Sequence, residues 1–189
     1  MRYDLFNSNA VTQAKLLAGN TGYDVVVPSA NFVARQIKAS IFCTLDKKTL
    51  PNYQNLHPEI TKILSSYDAE NRHVSPYLWG TTSTGYHVAK IKERMNDAPI
   101  DSWDMVLTPE IVARFKDRDV AMINTRSEVM PILLRYLGLP TNSQTAPDLS
   151  RAEAALMQVR PHIRYFRSSQ YLNDLLNGEL YVVLAWSGD

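Results

Sequence analysis

Tyr23-Asp24-Val25-Val26-Val27-Pro28-Ser29-Ala30 is the stretch whose reading decides the fold. Three consecutive β-branched residues behind an aromatic predict a short strand, apolar on both faces. Pro28 donates no ladder hydrogen bond and ends it. Ser29 then stands where a helix N-cap belongs, ahead of the periodic run Phe32, Val33, Gln36 and Ile37. A buried strand running into a Ser-capped helix is the unit with which open α/β sheets present polar groups at their carboxyl edge. Ser29 is therefore the first candidate ligand contact, weighed against the plainer role of capping its own helix.

Upstream, Tyr3 to Phe6 are predicted as a strand. Asn7-Ser8-Asn9 offer caps for a helix through Val11, Ala14, Leu17 and Ala18, which Gly19 stops. The resulting β-α-β-α order predicts a parallel sheet with right-handed crossovers. Downstream, a looser region from Asp46 to Tyr53 precedes a helix over Pro58 to Ser66. His73 to Thr82 reads as extended, is interrupted by Pro76, and suits a crossover between lobes. The boundary is placed near Leu78, with residues 1–77 as part of an N-terminal lobe. Residues 78–189 then form most of a second lobe, including the first hinge crossover. Its predicted strands are Gly85 to Val88, Val120 to Ile123, Ile163 to Phe166 and Tyr181 to Trp186. Helices are expected over Val88 to Met95, behind Ser102, from Pro109, over Leu149 to Val159, and behind Ser168-Ser169. Ser127 is expected to cap a further helix that ends at Gly138, with Pro131 in its first turn.

The 189 residues carry a formal net charge of only +1, so no basic field argues for nucleic acid or a membrane surface. A single cysteine, Cys43, excludes an internal disulfide framework and is read as a small apolar filler. No apolar run approaches the roughly 20 residues of a membrane span. Arg2 follows Met1 directly in what reads as a strand, so no signal peptide is visible. The chain is expected to be a piece of a longer protein. Enzyme motifs are missing: there is no Gly-x-Ser-x-Gly elbow and no glycine-rich phosphate loop. His57, His73, His87 and His162 are scattered and read as surface or strand residues, so neither a metal nor a cofactor is expected.

What recurs is the opening pattern, an apolar strand that breaks into a polar residue. It returns at Ser127-Glu128, at Ser168-Ser169 and at Trp186-Ser187-Gly188-Asp189. In two parallel-sheet lobes such strand ends line a shared cleft. Ser-capped helix starts favour an anion there. Carboxylates and an indole favour a cation, through charge-assisted hydrogen bonds and cation–π contact. Glu128 and Asp189, with Trp186 beside the latter, tip the reading toward an amine. The plainer roles are stabilisation of its own helix start for Glu128 and core packing for Trp186.

Five stretches together resemble the periplasmic polyamine-binding proteins, most of all the putrescine-binding branch. They are Tyr23–Ala30, Pro76-Tyr77-Leu78-Trp79-Gly80-Thr81-Thr82, Ser127-Glu128-Val129-Met130-Pro131, Phe166-Arg167-Ser168-Ser169-Gln170-Tyr171 and Ala185-Trp186-Ser187-Gly188-Asp189. The resemblance implies an α/β chain with part of a two-lobed, type II periplasmic-binding-protein fold, its parallel-rich sheets flanked by helices. It implies a non-enzymatic, monomeric binder that delivers putrescine or a related polyamine to the permease of an ABC importer. Carried over by position, Ser29, Glu128, Ser168, Trp186 and Asp189 match the family's ligand contacts. Asn124, Arg126 and Arg167 depart from its pattern and put the choice of polyamine in doubt. The family's leading segment and the end of its second lobe have no counterpart here, so weak binding or none is expected of this chain. The alternative is a binding or sensor domain of the same fold for another amine or a small anion.

Overall fold

The computed structural model describes residues 2–6, 8–115 and 120–188. The chain divides into two compact units, Met1–Trp79 and Gly80–Asp189.

The first unit is built from helices and turns. Helix α1, Asn9–Ala18, starts where the Ser8 hydroxyl accepts the Val11 N–H at 3.4 Å. It stops at Gly19, whose φ of 76° lies in the left-handed region. Helix α2, Ala30–Lys38, follows Ser29, and α3, Pro58–Leu64, has Pro58 in its first turn, where the missing N–H costs no bond. Three 3-10 turns cover Lys47–Thr49, Pro51–Asn55 and Ala69–Asn71. Among the described residues of this unit, Val33 is the buried apolar one, beside buried Thr12, Gln36, Asp68 and Asn71.

The strands expected at Tyr3 to Phe6 and Tyr23 to Val27 do not form among the described residues, and neither does their parallel sheet. A strand exists only with a hydrogen-bonded neighbour, and no described segment pairs with either stretch. Val25 and Val27 are 81% and 52% exposed, so the run that reads as doubly buried is not buried. What orders the end of this unit is a carboxylate. Asp68, 2% exposed, accepts the backbone N–H groups of His73 at 2.7 Å and Val74 at 3.0 Å. The His73 ring nitrogen lies 2.9 Å from its other oxygen. Burial pushes the Asp68 carboxyl up, but these bonds outweigh it and hold the group below its usual value.

The second unit contains the core. Strands β1 (Thr82–Tyr86), β2 (Val120–Met122), β3 (Tyr165–Phe166) and β4 (Val182–Trp186) form one sheet in the order β1-β4-β2-β3. The strands β4, β2 and β3 are parallel, whereas β1 runs antiparallel on the edge. Around them stand α4 (Val88–Arg94), α5 (Asp104–Leu107), α6 (Pro109–Val112), α7 (Arg126–Tyr136), α8 (Ala146–Val159) and α9 (Gln170–Leu176). Met122, Leu184, Leu133, Phe115, Ile163 and Tyr171 are among the side chains they enclose, all 2% exposed or less. The buried strands read as continuous apolar runs because helices shield them, as parallel sheets require.

Several local expectations shift. The first strand begins at Thr82 rather than Gly85, because Thr82–Tyr86 pair residue by residue with β4, while His87 and Val88 already open α4. Thr125, not Ser127, precedes α7, and Pro131 lies beyond the first turn, leaving the Ser127 carbonyl without its intrahelical donor. Helix α8 begins earlier than expected, where the Thr145 hydroxyl accepts the Asp148 N–H. Cys43 is exposed and fills no gap.

One carboxylate ties the ends of two helices together. Asp104, at the start of α5, accepts hydroxyl hydrogens from Tyr136 at 2.6 Å, Ser102 at 2.8 Å and Thr108 at 3.1 Å. These bonds, Tyr136's first, hold the Asp104 carboxyl below its ordinary value. Tyr136 is the last residue of α7, so the clamp fixes the far end of the helix whose first turn carries Glu128.

Candidate functional site

The register of the sheet sets two of the predicted residues, Ser168 and Trp186, on one edge. Met122 pairs with Phe166 on one side and with Leu184 on the other. Two residues beyond this row stand Asn124, Ser168 and Trp186, at the carboxyl ends of the parallel strands. That is where open α/β sheets bind ligands. The antiparallel β1 adds its beginning to the same edge, because Thr82 is the Cα partner of Trp186.

Glu128 enters from α7. It sits in the first turn, where the helix dipole favours a negative charge, and its N–H bonds the Thr125 carbonyl at 3.0 Å. The Thr82 hydroxyl donates to Glu128 Oε2 at 2.6 Å. Directly opposed residues of an antiparallel pair share one face, so Thr82 links the carboxylate to the face that carries Trp186. Both Glu128 and Trp186 are half-buried.

Ser168 is held from the β2 side. Its Oγ accepts the Asn124 N–H at 3.1 Å and lies 3.3 Å from the Thr125 hydroxyl. Thr125 thus spends its hydroxyl on Ser168 and forms no cap bond with α7. The other end of the edge is closed by a reciprocal pair. The Thr81 N–H donates to Ser187 Oγ at 3.0 Å, and the Ser187 N–H returns to the Thr81 carbonyl at 2.8 Å. A Cβ at Gly80 would stand 3.3 Å from Ser187 Oγ, which makes this position tight for any side chain.

The remaining candidates fall elsewhere. Ser29 belongs to the first unit, at the N-cap position of α2, but makes no cap bond with its side chain. Asn9 holds it instead: Asn9 Nδ2 donates to Ser29 Oγ at 2.9 Å, and the Ser29 N–H donates to Asn9 Oδ1 at 2.8 Å. Asp189 lies outside the described residues. A shallow hollow of about 370 Å³ in the first unit is lined by Leu17, Gly19, Tyr23, Ser40 and Ile41 and contains none of the candidates. Of the departures from the family pattern, the Arg167 guanidinium bonds Gln170 Oε1 and lies 5.9 Å from the Tyr165 ring centre. Arg126 is exposed at the start of α7 and has no ion pair among the described residues. No group of three or more His, Cys, Asp or Glu suited to a metal ion occurs among the described residues.

Thr82 and Thr125 escape a reading of the sequence. Their only trace is strand propensity in Thr81-Thr82 and a polar residue after a buried strand, and neither names a partner 46 or 43 residues away. Among the described residues, the edge offers the Glu128 carboxylate with its second oxygen, the Trp186 indole and the Ser168 hydroxyl. Groups of this kind suit a cation with an apolar stem.

No family model matches the chain. The fold is that of the periplasmic binding proteins. The lipoprotein TpPotD of Treponema pallidum superposes over 98% of this chain and 55% of its own, with a TM-score of 0.82 at 24% identity. The spermidine/putrescine ABC transporter substrate-binding protein PotD of Streptococcus pneumoniae gives 0.74 at 23%, over 99% of this chain and 54% of its own. In sequence the chain resembles particular members. It is 46% identical over 189 residues to the putrescine-binding periplasmic protein PotF of Escherichia coli, covering 99% of this chain and 51% of that protein. It is 44% identical over 188 residues to the putrescine-binding periplasmic protein SpuD of Pseudomonas aeruginosa, with the same shares covered. The chain thus spans about half the length of the curated relatives it matches.

Proposed function

We propose that this chain is part of the solute-binding component of a polyamine ABC importer, with putrescine or a related polyamine as ligand. Ser29, Glu128, Ser168, Trp186 and Asp189 are its ligand contacts in this reading. It works without catalysis in the periplasm, as a monomer, and hands its ligand to the membrane permease. Residues 1–77 are taken as part of one lobe and 78–189 as most of the other, with the first hinge crossover. One observation carries the reading: the half-buried Glu128 carboxylate, held by Thr82 on the edge that also presents Trp186 and Ser168. An ammonium meets the free carboxylate oxygen, the indole covers methylenes, and the hydroxyls accept or relay hydrogen bonds.

The test is an NMR titration of the chain with putrescine and spermidine, with butanediol as the uncharged control. Both amines are expected to shift the Trp186 indole and the Glu128 and Ser168 amides, with no matching effect of the diol. Shifts scattered over the surface, or equal shifts with the diol, would refute it.

A further inference from the structure

We propose that Thr82 is the positioning residue that sets Glu128 for an ammonium ligand. The inference rests on the polyamine reading above and adds a residue from a different strand to it. The Thr82 hydroxyl donates to Glu128 Oε2 at 2.6 Å, a short charge-assisted bond, and both residues are half-buried. With Oε2 engaged, Oε1 is the oxygen presented to a cation.

The donor itself stands on a rigid base. The backbone of Thr82 is paired with Trp186 in the β1–β4 ladder, and the next rung outward is the reciprocal Thr81–Ser187 pair. Its β-branched side chain has few χ1 choices, so the hydroxyl direction follows from the strand. A free glutamate side chain is among the most mobile in proteins, and a ligand that meets a mobile carboxylate must order it on binding. The bond to Thr82 does that ordering beforehand. It also sets the carboxylate relative to the indole, because Trp186 lies opposite Thr82 on the same face.

The experiment is an NMR titration of the full chain with putrescine for Thr82→Val, Thr82→Ser, Glu128→Gln and the Thr82→Val/Glu128→Gln pair, each first checked for wild-type amide dispersion. Thr82→Val keeps the shape and removes the donor, and is expected to raise Kd about tenfold, the scale of one charge-assisted hydrogen bond. Thr82→Ser is expected to stay within about twofold of wild type. In the Glu128→Gln background Thr82→Val is expected to add little, because a residue that acts through the carboxylate has nothing left to position. Equal losses in both backgrounds, or a serine variant as weak as the valine one, would overturn the proposal. If putrescine moves no resonance at Glu128 in wild type, as the missing half of the binding protein allows, the positioning claim is decided without ligand. Thr82→Val must then move the Glu128 side-chain carboxylate carbon resonance and Thr82→Ser must restore it; an unmoved resonance in Thr82→Val overturns the claim.

Discussion

Replacing Asp104 by alanine removes the acceptor of three hydroxyl hydrogen bonds, from Tyr136, Ser102 and Thr108. A hydrogen bond to a charged group contributes about 1.5–3 kcal/mol when fully shielded, and Asp104 is only half-buried. Tyr136 also keeps a contact with the Thr108 hydroxyl at 3.0 Å, so it is not left wholly unpaired. The three bonds together therefore come to about 2–3 kcal/mol rather than their full sum, and Asp104→Asn, which keeps one acceptor oxygen, costs about half of that. Folding holds the carboxyl below its ordinary value of 3.8, chiefly through Tyr136, so its contribution is present above that value. It is lost as pH falls through the lowered folded value. Tyr136 is raised from 10.0, first by burial and then by its bond to Asp104, so its contribution is present below 10.0 and lost as pH rises through the raised value. The assay is amide hydrogen exchange at Val183 and Leu184 in β4, which reports opening of the core of this unit alone. Protection is expected to drop in Asp104→Ala by the stated free energy at neutral pH, and the acid loss to flatten in both variants. A change below about 0.5 kcal/mol, the ordinary effect of a surface substitution, would refute the clamp.

Two further outcomes follow from the core and from the first unit. Leu184→Ala empties a fully buried position in the central strand β4 and is expected to cost about 2–5 kcal/mol, read by the same exchange measurement; a cost near 1 kcal/mol would mean that the site collapses freely. Lowering the pH is expected to shift the His73 and Val74 amide resonances together, with a midpoint below 3.8, as the Asp68 carboxylate that binds both becomes protonated. Midpoints at or above that value, or two separate ones, would show that Asp68 does not hold this loop.

How much was legible in the sequence differs between the units. Val120–Met122 and Val182–Trp186 are apolar runs that find neighbours within the unit, so pattern and structure agree. Tyr23–Val27 has the same composition, yet a ladder is a property of two segments, and composition cannot say whether the second is present. The helix starts show a smaller version of this. Ser127 is the better cap on paper, yet α7 starts behind Thr125, although the Thr125 hydroxyl serves Ser168. At the site, Ser168 and Trp186 are readable as residues at strand ends and Glu128 as one at a helix start. The Thr82 partner of Glu128 was not, because strand register brings it there from another part of the chain.

The reciprocal bonds between Thr81 and Ser187 have a consequence for protein engineering. They place the two ends of a continuous run of more than a hundred residues side by side, with the paired backbones at Thr82 and Trp186 about 5 Å apart. Such a run is a cassette whose ends already meet. It can be spliced into a tight turn of a host protein with almost no linker, or given new ends at an outer loop after its present ones are joined.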